Sequence, residues 1–119
     1  MPDSALLALQ LAVREFARER DWEQFHSPKN LAMALTVEAS ELLEVFQWLT
    51  ADESAALNAE QRQAASEEMA DVLLYLCRLA DVLNLDLVDA ARDKMVKNAL
   101  KYPAGQVRGS AAKYKERQD

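Results

Sequence analysis

EEMADVLLYLCRLADVL, residues 67–83, carries apolar side chains around nearly the whole circumference of a helix. Beyond Met69 only Asp71, Arg78 and Asp81 are charged, and neither glycine nor proline interrupts the run. A helix apolar on most sides must be covered on several of them, which predicts the central helix of a bundle, or one at a subunit interface, over about Ala59 to Leu83. Working outward, Leu6, Leu9, Val13, Phe16 and Ala17 recur three and four apart and predict a first helix from Ser4 to Arg20. Ser27-Pro28 reads as an N-cap with proline at the first helical position, so a second helix runs from Pro28 to about Leu49. The polar, alanine-rich Thr50–Glu60 stretch, with cap-like Asp52 and Asn58, is a loop or a short helical turn. Asp86 caps a fourth helix that reaches Lys101 before Tyr102-Pro103 stops it. The fold class is all-α: a four-helix domain over residues 1–104, followed by a flexible charged tail over 105–119.

Composition agrees. The 119 residues suffice for one domain, 50% of them are hydrophobic, and only 2 glycines and 3 prolines are available for the many turns an all-β fold needs. A formal charge of −6 argues against a nucleic-acid polymer as partner, because affinity for a phosphate backbone comes from Lys and Arg. It leaves a single nucleotide open, since bound divalent cations reverse the local sign of an acidic pocket. The single cysteine, Cys77, lies inside the apolar helix, so a packed free thiol and a reducing compartment are expected. Asp3, Arg14 and Glu15 flank the N-terminal apolar residues wrongly for a secretory signal, and no run is long enough for a membrane span. The expectation is a cytoplasmic protein without a membrane partner.

Two carboxylate pairs stand out. Glu38 shares a helix face with Leu31, Leu35, Leu42, Val45 and Leu49, and so points toward the core. A carboxylate there is costly unless it is paired, hydrogen-bonded or metal-bound. Glu41 sits one turn on, at the border of the same face. Glu44 turns further toward solvent and is a possible third ligand only. The third helix supplies Glu68 and Asp71, again three apart, and antiparallel packing of the second and third helices lets the two pairs meet. Oxygen ligands of this kind suit Mg²⁺, or Mn²⁺ as a substitute, rather than zinc. A ferritin-like di-iron site needs Glu-x-x-His twice, whereas His26 is the sole histidine.

Glu38-Ala-Ser-Glu41, followed after 26 intervening residues by Glu68-Met-Ala-Asp71, resembles the E-x-x-E and E-x-x-D signature of the MazG-like all-α NTP pyrophosphohydrolases. RDWEQFHSPKNL at 20–31, FQW at 46–48, EEMADVLLYL at 67–76 and KMVKNALKYP at 94–103 are similar, in order and spacing, to the dCTP pyrophosphatase branch of that family. The resemblance implies a bundle assembled as a homodimer or homotetramer that hydrolyses a (deoxy)nucleoside triphosphate, dCTP or a modified dCTP, to the monophosphate and pyrophosphate. It implies that Glu38, Glu41, Glu68 and Asp71 bind Mg²⁺, and that Glu38 or Glu41 orients the attacking water. It also implies that Lys94, with Asn98 and Tyr102 on the same helix face, meets the phosphates and nucleotide, Lys94 supplying catalytic charge. Trp22 and Trp48 match aromatic positions around base and sugar, and His26 matches a further family position, as a substrate-binding candidate or a residue that packs or caps locally. Val13 stands where the animal dCTP pyrophosphatases carry a histidine at the base pocket, which leaves the choice of base open. A dUTP or broad-specificity (d)NTP pyrophosphohydrolase, or a non-catalytic helical oligomerisation module, are the alternatives.

Overall fold

The structure, a computed structural model, describes residues 4–111. Its regular elements are α1 (Ser4–Glu19), a 3₁₀ turn (Glu23–Phe25), α2 (Pro28–Phe46), α3 (Ala51–Ser54), α4 (Ala59–Val82), α5 (Leu87–Lys101) and α6 (Ala104–Val107). No strand occurs among the described residues. The chain divides after Leu85 into two units, of which the first carries α1 to α4.

In the first unit α4 packs against both α1 and α2, as its apolar circumference requires. Ala17, Leu31, Ala65, Cys77 and Ala80 are the buried apolar residues, and the Cys77 thiol is fully enclosed. The helix ends follow from local chemistry. Ser27 Oγ accepts from Asn30 N at 3.1 Å ahead of Pro28. Thr50, rather than Asp52, caps α3, in a reciprocal box with Glu53, and Asn58 does the same for α4 with Gln61. α2 ends at Phe46 instead of Leu49, and residues 47–49 tighten into a turn, closed by Leu49 N on Phe46 O at 2.9 Å, that leads into the extended Thr50.

The C-termini of α1 and α4 share one device. Trp22 N donates to Ala17 O and Asp21 N to Arg18 O, with Asp21 at φ 55°; Leu85 N donates to Ala80 O and Asn84 N to Asp81 O, with Asn84 at φ 56°. Both are Schellman motifs with Asp or Asn in the left-handed position, the non-glycine residues that tolerate it best. The first of them delivers Trp22 to the side of α1, where its ring meets Phe16 edge-on at 5.8 Å between centroids.

Asp81 ties α1 to α4. It accepts from Arg14 through a bidentate guanidinium contact and from Arg78 Nη1 at 2.8 Å, with both Asp81 and Arg78 side chains over nine-tenths buried. The Arg14 guanidinium, then Arg78, holds the Asp81 carboxyl below its ordinary range. A carboxyl with a depressed folded value contributes stability above its unfolded value and loses it as pH falls through the folded one. Asp81→Asn is therefore expected to cost about 3 kcal/mol in urea unfolding at neutral pH, since it strands a buried guanidinium. That cost should shrink as the solution is acidified below the carboxylate range.

The second unit carries α5 and α6. Asp86 Oδ1 caps α5 by accepting from Asp89 N at 3.0 Å, and Tyr102 ends the helix with its N–H on Asn98 O at 2.7 Å. The expected tail is helical in its first part, at α6, and residues 112–119 lie outside the described residues.

Candidate active site

α2 and α4 bring three of the four expected carboxylates together. One oxygen from each of Glu38, Glu41 and Glu68 lies within 4.8 Å of the others, so this group could hold a metal ion. The helical phase of Glu38 is as expected: Leu31 on its face is buried, and Leu35, Leu42, Val45 and Leu49 are half-buried. The charge of Asp71 reaches both Glu38 and Glu68, and that of Glu44 reaches Glu68, so the acidic faces of α2 and α4 stand opposite each other.

The group is electrostatically unfavourable as it stands. Glu38 Oε2 and Glu68 Oε2 are both buried without a hydrogen-bond partner. Burial, then proximity to Glu41, Asp71 and Glu68, pushes the Glu38 carboxyl up to about 7. Burial, then the Glu41 charge, raises Glu68 as well. Stranded acceptor oxygens in a crowd of like charges are what a bound cation resolves, so the donor set fits one. Glu44 is exposed and stands outside the three-oxygen group.

Asp71 is likewise outside that group and faces another feature. It lines a cavity of about 520 Å³ whose walls include Leu9, Val13, Trp22, His26 and Arg78. The cavity is mainly apolar and lies within the size range of small-molecule sites. Of the expected substrate contacts, Trp22 and His26 reach it, and Val13 forms part of its wall. Trp48 does not; it stands 87% exposed beyond the end of α2. Lys94 and Asn98 lie one turn apart on α5 and are exposed, with Tyr102 half-buried at the helix end, all in the second unit.

Sequence reasoning passed over Arg78, Tyr75 and Leu74 as cavity residues. For Arg78 the signal was present, a lone cation in an apolar helix seven residues after Asp71. A partner for it, His26, is 52 residues away in sequence and could not be read from periodicity.

The chain matches the MazG-like family over residues 33–116. It is 45% identical to dCTP pyrophosphatase 1 of Mus musculus, over 95% of this chain and 68% of that protein. Against dCTP pyrophosphatase 1 of Homo sapiens the identity is 44%, over 97% of this chain and 69% of the relative. Among solved structures, a pyrophosphatase from Archaeoglobus fulgidus superposes with a TM-score of 0.79 at 39% identity, over 87% of this chain and 96% of its own. With its helical fold and paired acidic helices, the chain belongs to the MazG-like family, and this kinship places it among the nucleotide pyrophosphohydrolases.

Proposed function

We propose that the protein hydrolyses a (deoxy)nucleoside triphosphate across its α–β phosphoanhydride, giving the monophosphate and pyrophosphate, with dCTP or a modified dCTP as first substrate. Such an activity removes unwanted nucleotides from the cytoplasmic pool. The observation that carries the reading is the placement of Glu38, Glu41 and Glu68 together, with two unpartnered buried oxygens, within reach of the charge of Asp71, which lines a cavity that also presents Trp22.

Mg²⁺ is the ion best suited to the site. One oxygen from each of the three carboxylates lies within 4.8 Å of the others, near enough for a single ion to draw on all three. Glu38, Glu41 and Glu68 would hold the ion, with Asp71 completing the set from the cavity side. When bound, such an ion offsets triphosphate charge and lowers the pKa of water. A Glu38 or Glu41 oxygen left free accepts a hydrogen bond from the attacking water and orients it. The Trp22 indole stacks on the base, while the apolar wall excludes water from it. Lys94, Asn98 and Tyr102 share one helix face, and their match to the family pattern supports a role for them at the nucleotide and its phosphates. Trp48 is carried by that match alone.

Apolar side chains left exposed one turn apart, Met33 with Val37 on α2 and Met69 with Leu73 on α4, support assembly as a homodimer or homotetramer.

The test is a panel of dNTPs, rNTPs and modified cytosine nucleotides with Mg²⁺, read by pyrophosphate release. Turnover led by a cytosine nucleotide is the expected result; no release from any triphosphate overturns the reading. Val13 in the cavity wall favours one second reading, a dUTP or broad-specificity hydrolase, because its isopropyl group can neither donate to nor accept from a base. The same panel separates the two. Trp22→Ala is expected to raise KM about tenfold or more, the loss of a stacking contact of ~1–3 kcal/mol, with a smaller change in kcat.

A further inference from the structure

Two polar residues of the cavity wall, His26 and Arg78, belong to a hydrogen-bonded chain that the carboxylate chemistry does not use. Arg78 Nε donates to His26 Nδ1 at 2.9 Å, Arg78 Nη1 donates to Asp81 Oδ2 at 2.8 Å, and Asp81 is held in turn by Arg14. A guanidinium only donates, so His26 Nδ1 must be the acceptor, and a neutral imidazole accepting there carries its proton on Nε2. We propose that Arg78 is a positioning residue for substrate selection. It fixes His26 as the neutral Nε2–H tautomer and thereby presents one oriented donor, at the cavity wall, to an acceptor on the base edge of the nucleotide. The chemistry this selects is a carbonyl oxygen or an unprotonated ring nitrogen, as on the pyrimidine edge.

Three observations support the assignment. Arg78 is nearly fully buried and locked on both sides, so it has one orientation to offer. His26 Nε2 takes no partner among the described residues and is not sealed in, which leaves its N–H available. Burial, then the Arg78 charge, lowers the His26 pKa, so the ring stays neutral. The division of labour also accounts for Val13. A cavity without a polar group at that position still has a donor at His26, and a donor that meets the 2-carbonyl oxygen accepts cytosine and uracil alike.

The inference rests on the nucleotide reading above, and its test separates the two. The sequence holds one histidine, so ¹⁵N NMR of the imidazole in the intact protein reports His26 without ambiguity. The free protein at neutral pH is expected to show the Nε2–H tautomer alone, and titration with dCMP is expected to shift Nε2 in step with binding. Arg78→Met should mix the tautomers and raise KM for the hydrolysed triphosphate about tenfold, as for one hydrogen bond to a buried acceptor, with kcat little changed. Arg78→Lys, still a donor only but with one nitrogen in place of the two that Arg78 uses, should restore both in part. If Arg78→Met fails to fold, the wild-type spectrum and the Arg78→Lys variant decide. An Nδ1–H or charged ring in the wild type overturns the proposal, and so does an Nε2 signal unmoved by dCMP that binds. Absence of any triphosphate hydrolysis, with the tautomer as expected, removes the nucleotide reading instead.

Discussion

Glu38→Gln is expected to lower turnover by at least ~10³-fold, about 4 kcal/mol of transition-state stabilisation, while the metal-free protein becomes more stable rather than less. Both effects have one cause. Glu38 sits in the core phase of α2 with Oε2 unpartnered, among Glu41, Glu68 and Asp71, and its carboxyl is pushed up to about 7. A carboxyl whose folded value lies above its unfolded one destabilises the fold as pH rises from the unfolded to the folded value. The wild-type metal-free protein should therefore lose stability between about pH 4.5 and 7, and the glutamine variant should lose less. At pH 8 its melting midpoint should exceed that of the wild type by about 4 °C or more, the shift that ~1 kcal/mol makes in a domain of this size. Loading a cation requires the carboxylate form, so Mg²⁺ affinity should climb across the same interval. Near-normal turnover in this variant sinks the site.

Asp71→Asn is the second large effect, and it probes the join between carboxylates and cavity. Asp71 adds its charge to the group around Glu38 and Glu68 and also lines the cavity wall, although it is not one of the three oxygens that lie together. An amide of the same shape keeps the packing and removes the charge. Turnover is expected to fall at least ~10²-fold, about 2.7 kcal/mol, with the helical circular dichroism signal unchanged. Steady-state kinetics with Mg²⁺ varied distinguishes weaker ion binding, which added Mg²⁺ rescues in part, from loss of alignment, which it does not. Rates within a few-fold of the wild type confine Asp71 to the cavity wall.

Much of this was legible before any coordinates. The apolar circumference of residues 67–83 required a central helix, and α4 is central to the first unit. Ser27-Pro28, Asn58 and Asp86 marked their helix starts because capping is a local affair of a side-chain oxygen and an N–H three residues on. The phase of Glu38 was readable because a helix repeats its faces. The start of α3 was not, since Thr50 rather than Asp52 takes the cap there in a box with Glu53. Nor was the Arg14–Asp81–Arg78–His26 chain, whose links join residues 67 and 52 positions apart. Periodicity places a residue on a face; it does not say which distant residue will stand opposite.

The central claim is that Glu38, Glu41 and Glu68 form one cation site serving a nucleotide. Its most direct test is titration of the metal-free protein with Mn²⁺, followed by electron paramagnetic resonance, with and without a non-hydrolysable dCTP analogue. Saturable binding that tightens with the analogue and is lost in Glu38→Gln is the predicted result. Binding absent from the wild type, or identical in the two proteins, contradicts the account.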